Sequence, residues 1–182
     1  MRLAKMVAIA ATLFAACPAI GAAQSRVPAA GSMAVGGEAG LFVPDDDFEP
    51  SPIVGGFFEY YPTARLSLRP SAMFLDPGFD REPSDSLRQT RIGFDVIYNW
   101  EHGRWHPFAG GGVSAHLLRL KDNGHAIGDG NSQLGIGGLG GVEYFVNRRN
   151  ALKFEGRAQF VDDVFGVDPG GFAATVGFKH YF

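Results

Sequence analysis

Ser114 and His116 stand two residues apart in "GGVSAHLL", a spacing that puts both side chains on one face of an extended chain. A histidine beside a hydroxyl is the core of base-activated acyl transfer, but the ring then needs a third group to orient it. No acid lies near the pair in sequence, so it reads as hydrogen-bonded filling rather than as a nucleophile and its base. "GIGGLGG" (135–141) matches G-x-G-x-x-G through Gly135, Gly137 and Gly140. A dinucleotide site needs that turn to open a helix after a strand, and "VEYFV" follows instead, which is more strand. Asp45, Asp46 and Asp47, with Asp162, Asp163 and Asp168, are the hard oxygen ligands that Ca²⁺ or Mg²⁺ takes. They have no fixed ligand spacing and read as solvated loop acid. His102, His106 and His125 fall in or beside turn signals without a paired ligand. No catalytic, cofactor-binding or metal-ligating set is expected.

The elements that carry these residues follow from the chain as a whole. Arg2 and Lys5 precede an apolar stretch, "MVAIAATLFAA" (6–16), too short to span a bilayer. Pro18 and Gly21 break it, and Gly21-Ala22-Ala23 offers small residues for a peptidase. Residues 1–23 are therefore expected to be a cleavable export signal, with 24–31 a short lead-in and 32–182 one domain. Cys17, the single cysteine, would leave with the signal, which excludes disulfides and thiolate metal sites from the mature chain; lipidation at Cys17 is the weaker reading. Removing Arg2 and Lys5 from the 16 basic residues leaves 14 against 19 acidic ones, a net charge of −5. No basic stripe is present, so nucleic acid is not an expected partner.

Turn signals divide the rest into eight runs, 32–43, 52–61, 65–75, 87–100, 105–119, 133–145, 151–160 and 171–182. Short connections ("PTA", "EHGR", "VNRRN") alternate with longer, more acidic ones (44–50, 76–86, 121–132 and 161–170). That alternation suits an up-and-down barrel with turns at one rim and loops at the other. Several runs show strict two-residue parity. In "ALKFEGRAQF" (151–160), Leu152, Phe154, Gly156, Ala158 and Phe160 oppose Lys153, Glu155, Arg157 and Gln159. Ile92, Phe94, Val96, Tyr98 and Trp100 oppose Arg91, Gly93, Asp95 and Asn99, with Ile97 breaking the pattern.

Parity alone does not say which face is inside; three features do. Long charged side chains on the polar face are interleaved with Gly, Ser, Ala and Thr, which suits a lumen just wide enough for side chains to fill. The charges on that face nearly cancel: Glu38, Glu59, Asp95, Glu143 and Glu155 against Arg65, Arg69, Arg91, Lys153, Arg157 and Lys179. Near-neutrality is what a desolvated interior needs. Aromatics gather beside the short turns, at Tyr60–Tyr61, Trp100 and Trp105, Tyr144–Phe145 and Tyr181–Phe182, as in a membrane-interface girdle. The expectation is an all-β, eight-stranded antiparallel up-and-down transmembrane β-barrel, greasy outside and ionic within.

With "GGFFEYYPTARLSLRPSAMF" (55–74) and the last strand "GFAATVGFKHYF" (171–182), the chain resembles the small bacterial outer-membrane barrels of the OmpA/OmpX-like kind. The resemblance implies a bacterial outer-membrane location, contact with outer-membrane lipids and lipopolysaccharide, and a monomer. It also implies that Phe178, His180 and Phe182 form the carboxy-terminal signal read by the barrel-insertion machinery, His180 departing from the usual aromatic or apolar residue. Lipid A deacylases of this location use a His-x-Ser-type motif that is lacking here. Palmitoyltransferase barrels carry a His in the first outer loop, and "PDDDFEP" has none, although Asp85-Ser86 matches their second. These motifs bear on architecture and location rather than activity; the charged lumen makes a non-enzymatic, plugged structural barrel displaying short loops the leading expectation. Loop-borne adhesion or ligand recognition, a narrow small-solute channel and a lipid-modifying enzyme are the alternatives, in that order.

Overall fold

The computed structural model describes residues 28–44, 50–75, 86–122, 125–126, 131–161 and 170–182. The expected export signal (1–23), most of the lead-in and the loop aspartates at 45–47, 162, 163 and 168 lie outside the described residues, as does Asp85. Nine strands follow in chain order: β1 (Met33–Pro44), β2 (Ser51–Tyr60), β3 (Leu66–Leu75), β4 (Ser86–Asn99), β5 (Trp105–Asp122), β6 (His125–Ala126), β7 (Asn131–Phe145), β8 (Asn150–Val161) and β9 (Gly171–Tyr181). Neighbours pair antiparallel from β1 to β5, then β5 with β7, β7 with β8, β8 with β9, and β9 back to β1. Eight strands thus close a ring in which no edge remains. The two-residue β6 hangs on the far end of β5 through Lys121 and Asp122. β5 and β7, at 18 and 15 residues, outrun the 10–12 residues of β1, β2, β3, β8 and β9. With β4, 14 residues long and paired with β5 as far as Ser86–Lys121, they make one side of the wall taller.

The short turns are closed by their own side chains. Thr63 Oγ1 accepts from the Leu66 amide (3.0 Å) between β2 and β3. Asn147 Oδ1 accepts from the amides of Arg149 (2.9 Å) and Asn150 (3.0 Å) between β7 and β8. Between β4 and β5, Gly103 takes φ +64°, a left-handed conformation that costs a glycine little. At the seam, the Phe182 amide donates to the Met33 carbonyl (3.0 Å) and the Gly31 amide to the Tyr61 carbonyl (2.8 Å).

Burial alternates along most of each strand, blurring only at the glycine-rich middles of β5 and β7, and the exposed set is the apolar one. Leu134, Ile136, Phe160, Val113 and Val54 are among the most exposed large residues, at 59–75%. Among the strand residues whose burial is described, no Asp, Glu, Lys or Arg faces outward. The buried set includes Glu38, Glu59, Arg69, Arg91, Asp95, Glu143, Lys153, Glu155, Arg157 and Lys179. A protein in water does the reverse. The oily face of 151–160 points outward, as parity and composition require.

The "GIGGLGG" segment lies wholly inside β7, with strand before and after. Its inward glycines serve the closing of the wall. A Cβ on Gly141 would collide with the Phe154 carbonyl and stand 2.7 Å from the Phe108 ring. A small residue is needed there because two strands and a buried ring converge.

Candidate functional site: the charged lumen

The parity of each strand delivers its charged residues to one axis. At the short-turn end, Lys179 of β9 bridges Glu59 of β2 (2.6 Å) and Glu143 of β7. The Tyr181 hydroxyl donates to Glu143 (2.7 Å), and Ser67 donates to Glu59. Next along the axis, Arg69 of β3 joins Glu59 (3.3 Å) to Glu155 of β8 (2.5 Å). Lys153 joins Glu155 (3.0 Å) to Glu38 of β1 (2.5 Å), where the Thr175 hydroxyl also donates (3.1 Å). Arg157 forks onto Asp95 of β4 through two bonds, 2.9 and 2.8 Å, and reaches Glu155 at 3.0 Å. Arg91 lies 3.7 Å from Asp95 and donates to Ser71 (3.2 Å). Every member is fixed by at least one partner on another strand or by a neighbour that is.

One pair sets the scale of the lumen. In the ring of eight, β3 and β8 stand four places apart, so the Arg69–Glu155 pair crosses the full diameter. Arg69 is 1% exposed and Glu155 5%. An ion pair taken from water is stable only where geometry and further hydrogen bonds offset desolvation, and the fork of Arg157 on Asp95 is the strong, oriented kind.

Ten of the eleven expected lumen charges are brought together. Arg65 is the exception: it sits in the turn before β3, its side chain 59% exposed, 3.7 Å from Glu101 and reaching the Tyr98 hydroxyl. The strand begins at Leu66, so the parity rule does not extend to it. Its departure leaves five acids against five bases, an interior with no net formal charge among the described residues.

Aromatic rings also enter the lumen, which the girdle reading missed. Phe57 lies under three cations: Lys153 Nζ at 4.4 Å, the Arg69 guanidinium at 4.9 Å and Lys179 Nζ at 5.8 Å from its centroid. Ring faces attract desolvated cations, and Arg69 Nη2 has no hydrogen-bond acceptor among the described residues. Of the expected girdle, Tyr60, Trp100, Trp105 and Phe182 are exposed, but Tyr61, Phe145 and Tyr181 are buried with Ala34 and Ala151 in a cluster at the turn end. In a pair of consecutive strand residues only one can face out. Phe42, Ile53, Leu75 and Ala173 form a second apolar cluster toward the loops. Ile97, the break in parity, packs with Phe108 and Leu139 inside. The signal was available: Phe57, Tyr61, Phe145 and Tyr181 each stand two residues from a buried charge.

Ser114 and His116 both face inward. His116 Nε2 lies 2.8 Å from Ser114 Oγ, and the Gln89 side-chain amide contacts Nδ1. The third position therefore holds an amide rather than an acid. All three are at most 5% exposed, so the arrangement is a closed hydrogen-bonded layer. Phe178, His180 and Phe182 share the outer face of the last strand; Phe178 is 49% and Phe182 73% exposed. His180 Nδ1 pairs with Asn150 Oδ1 at 2.8 Å, which satisfies a polar ring at an otherwise apolar position.

No protein-family model matches the chain. No curated protein sequence matches it either. Solved structures do share its architecture. The outer membrane protein OprG from Pseudomonas aeruginosa superposes with a TM-score of 0.66 at 14% identity, over 87% of this chain and 99% of that one. Neisserial surface protein A (NspA) gives 0.63 at 16% identity, over 83% and 96%. The N-terminal β-barrel domain of Pseudomonas aeruginosa OprF gives 0.60 at 15%, over 84% and 98%. The fold is that of the eight-stranded outer-membrane barrel.

Proposed function

We propose that this protein is a non-enzymatic structural element of a bacterial outer membrane: a monomeric, plugged cylinder that holds four loops at the cell surface. The Arg69–Glu155 pair across the diameter carries the reading. A lumen crossed by ion pairs, backed by Phe57 and closed toward either end by apolar clusters, has its own side chains where water or solute would pass. The apolar outer face among the described residues supports contact with outer-membrane lipids, and in this reading loop acid meets lipopolysaccharide phosphates through divalent ions. Phe178, His180 and Phe182, on one lipid-facing edge, serve as the signal for the insertion machinery. The test is conductance in planar bilayers. The purified barrel is expected to leave the baseline flat; discrete, reproducible steps would make it a channel.

Loop-borne recognition is the second reading. The greater length of β4, β5 and β7 favours it, because it raises one side of the wall with paired strands. Exchange of the 121–132 loop for a Gly/Ser segment would abolish surface binding under that reading and leave the structural role intact.

A further inference from the structure

The two rims of the barrel differ in charge. The connections at 44–50, 76–86, 121–132 and 161–170 contain 13 acidic and two basic residues. The three short turns carry Arg65, Arg104, Arg148 and Arg149 against the single acid Glu101, a net charge of +3. All four arginines are exposed. They sit just beyond an interface belt in which Trp105 packs on Tyr144 (4.7 Å) and Tyr98 on Trp100 (5.1 Å) between ring centroids. Aromatic belts of this kind lie at headgroup depth, and arginine there meets phosphate rather than hydrocarbon.

The arginines are not equivalent. Arg65 is met by Glu101 at 3.7 Å. Arg148 and Arg149 have no carboxylate partner among the described residues, and they border an open recess of about 400 Å³ between the lead-in and the β7–β8 turn. Pro28, Ala29 and Ser32 form its other wall. Phe182, on the lipid-facing side and 73% exposed, completes it. Two cations, a wall of small residues with one hydroxyl at Ser32 and an apolar ring leading to the hydrocarbon side are features that suit a phosphate headgroup and the start of its acyl chains.

We infer that this recess holds the headgroup of an anionic phospholipid from the leaflet at the short-turn rim, with Arg148 and Arg149 on the phosphate and Phe182 against the acyl chains. The site rests on the membrane-barrel reading. It gives the barrel an electrostatic preference for one leaflet, since the connections at the other rim carry 13 acids against two bases and meet anionic phosphates only through bridging divalent ions.

Native mass spectrometry of the detergent-folded full chain tests it, with dioleoylphosphatidylglycerol and dioleoylphosphatidylcholine as probes. Each sample is first checked for a heat-dependent gel shift, so that loss of the fold, which would defeat the barrel reading itself, is seen separately. The wild type is expected to retain phosphatidylglycerol over phosphatidylcholine. R148Q/R149Q is expected to keep the gel shift and lose about thirtyfold in phosphatidylglycerol retention, at the scale of two interfacial arginines. R65Q/R104Q, which removes the same charge elsewhere on the rim, is expected to lose much less. Equal retention of both lipids by the wild type, or equal loss in the two double variants, would overturn the site. So would unchanged retention in R148Q/R149Q with impaired assembly in cells, which would assign the recess to the insertion machinery.

Discussion

Glu155 shows how much a single side chain carries in this lumen. It accepts from Arg69, Lys153 and Arg157 on the axis of the barrel, and removing its charge leaves three buried cations short of an anion. E155Q is therefore expected to destabilise the protein by about 3–5 kcal/mol, read from urea unfolding in lipid vesicles by tryptophan fluorescence. Glu101 pairs with Arg65 in a solvated turn, and E101Q is expected to cost less than about 1 kcal/mol. Similar costs for the two variants would mean that the lumen is wet enough to screen its ion pairs. Eight of the ten buried charges were legible because they sit on strands with clear alternation; Glu59 and Glu143, on runs blurred by glycines and stray aromatics, were placed by the near-cancellation of charge on the polar face. Arg65 was misread because it precedes the strand, where the chain is still turning. Phe57, Tyr61, Phe145 and Tyr181 were hidden by their own chemistry. An aromatic ring beside a turn suits a membrane interface and a packed lumen equally, and only position relative to Glu59, Glu143 and Lys179 separates the two.

At the scale of the element, the runs at 52–61, 105–119 and 133–145 were blurred by glycines and stray aromatics, and β7 shows why. Glycines occupy both of its faces, and parity has no side chain to act on. The structure separates them by what each approaches. Gly141 faces inward, where a Cβ would press on the Phe154 carbonyl and the Phe108 ring; Gly138 faces outward with only the Gly110 carbonyl near, at 3.9 Å. G141A is expected to lose at least about 1–3 kcal/mol through overpacking. G138A is expected to gain up to about 1 kcal/mol, because alanine has fewer unfolded conformations to lose. Urea midpoints of the two variants check this, and a tolerant Gly141 would show that β7 and β8 are less closely packed than the register implies. The strand ends themselves fell within a few residues of the turn signals, because Pro, Gly and Asn end pairing by definite backbone chemistry. The extension of β5 was not foreseen: residues 120–126 carry turn-like composition, yet β5 runs on to Asp122 and β6 pairs with it. Partner strands decide pairing there, and single-strand composition does not contain them.

For the whole molecule, the decisive property is inversion. Backbone groups in hydrocarbon must be satisfied internally, which a closed ring of strands achieves. The remaining requirement is a surface without charge around an interior whose charges cancel, and both are present. Site-directed spin labelling along 152–160 tests this most directly, one label per variant, in a chain whose single native cysteine, Cys17, is replaced by serine. Collision rates with oxygen, which concentrates in hydrocarbon, are to be measured for the barrel folded into phospholipid vesicles. Labels at 152, 154 and 160 are expected to collide often and those at 153, 155 and 157 rarely, with a period of two residues. The opposite phase, or fast collisions with a water-soluble nickel chelate at 155 and 157, would contradict an ionic axis inside an oily wall.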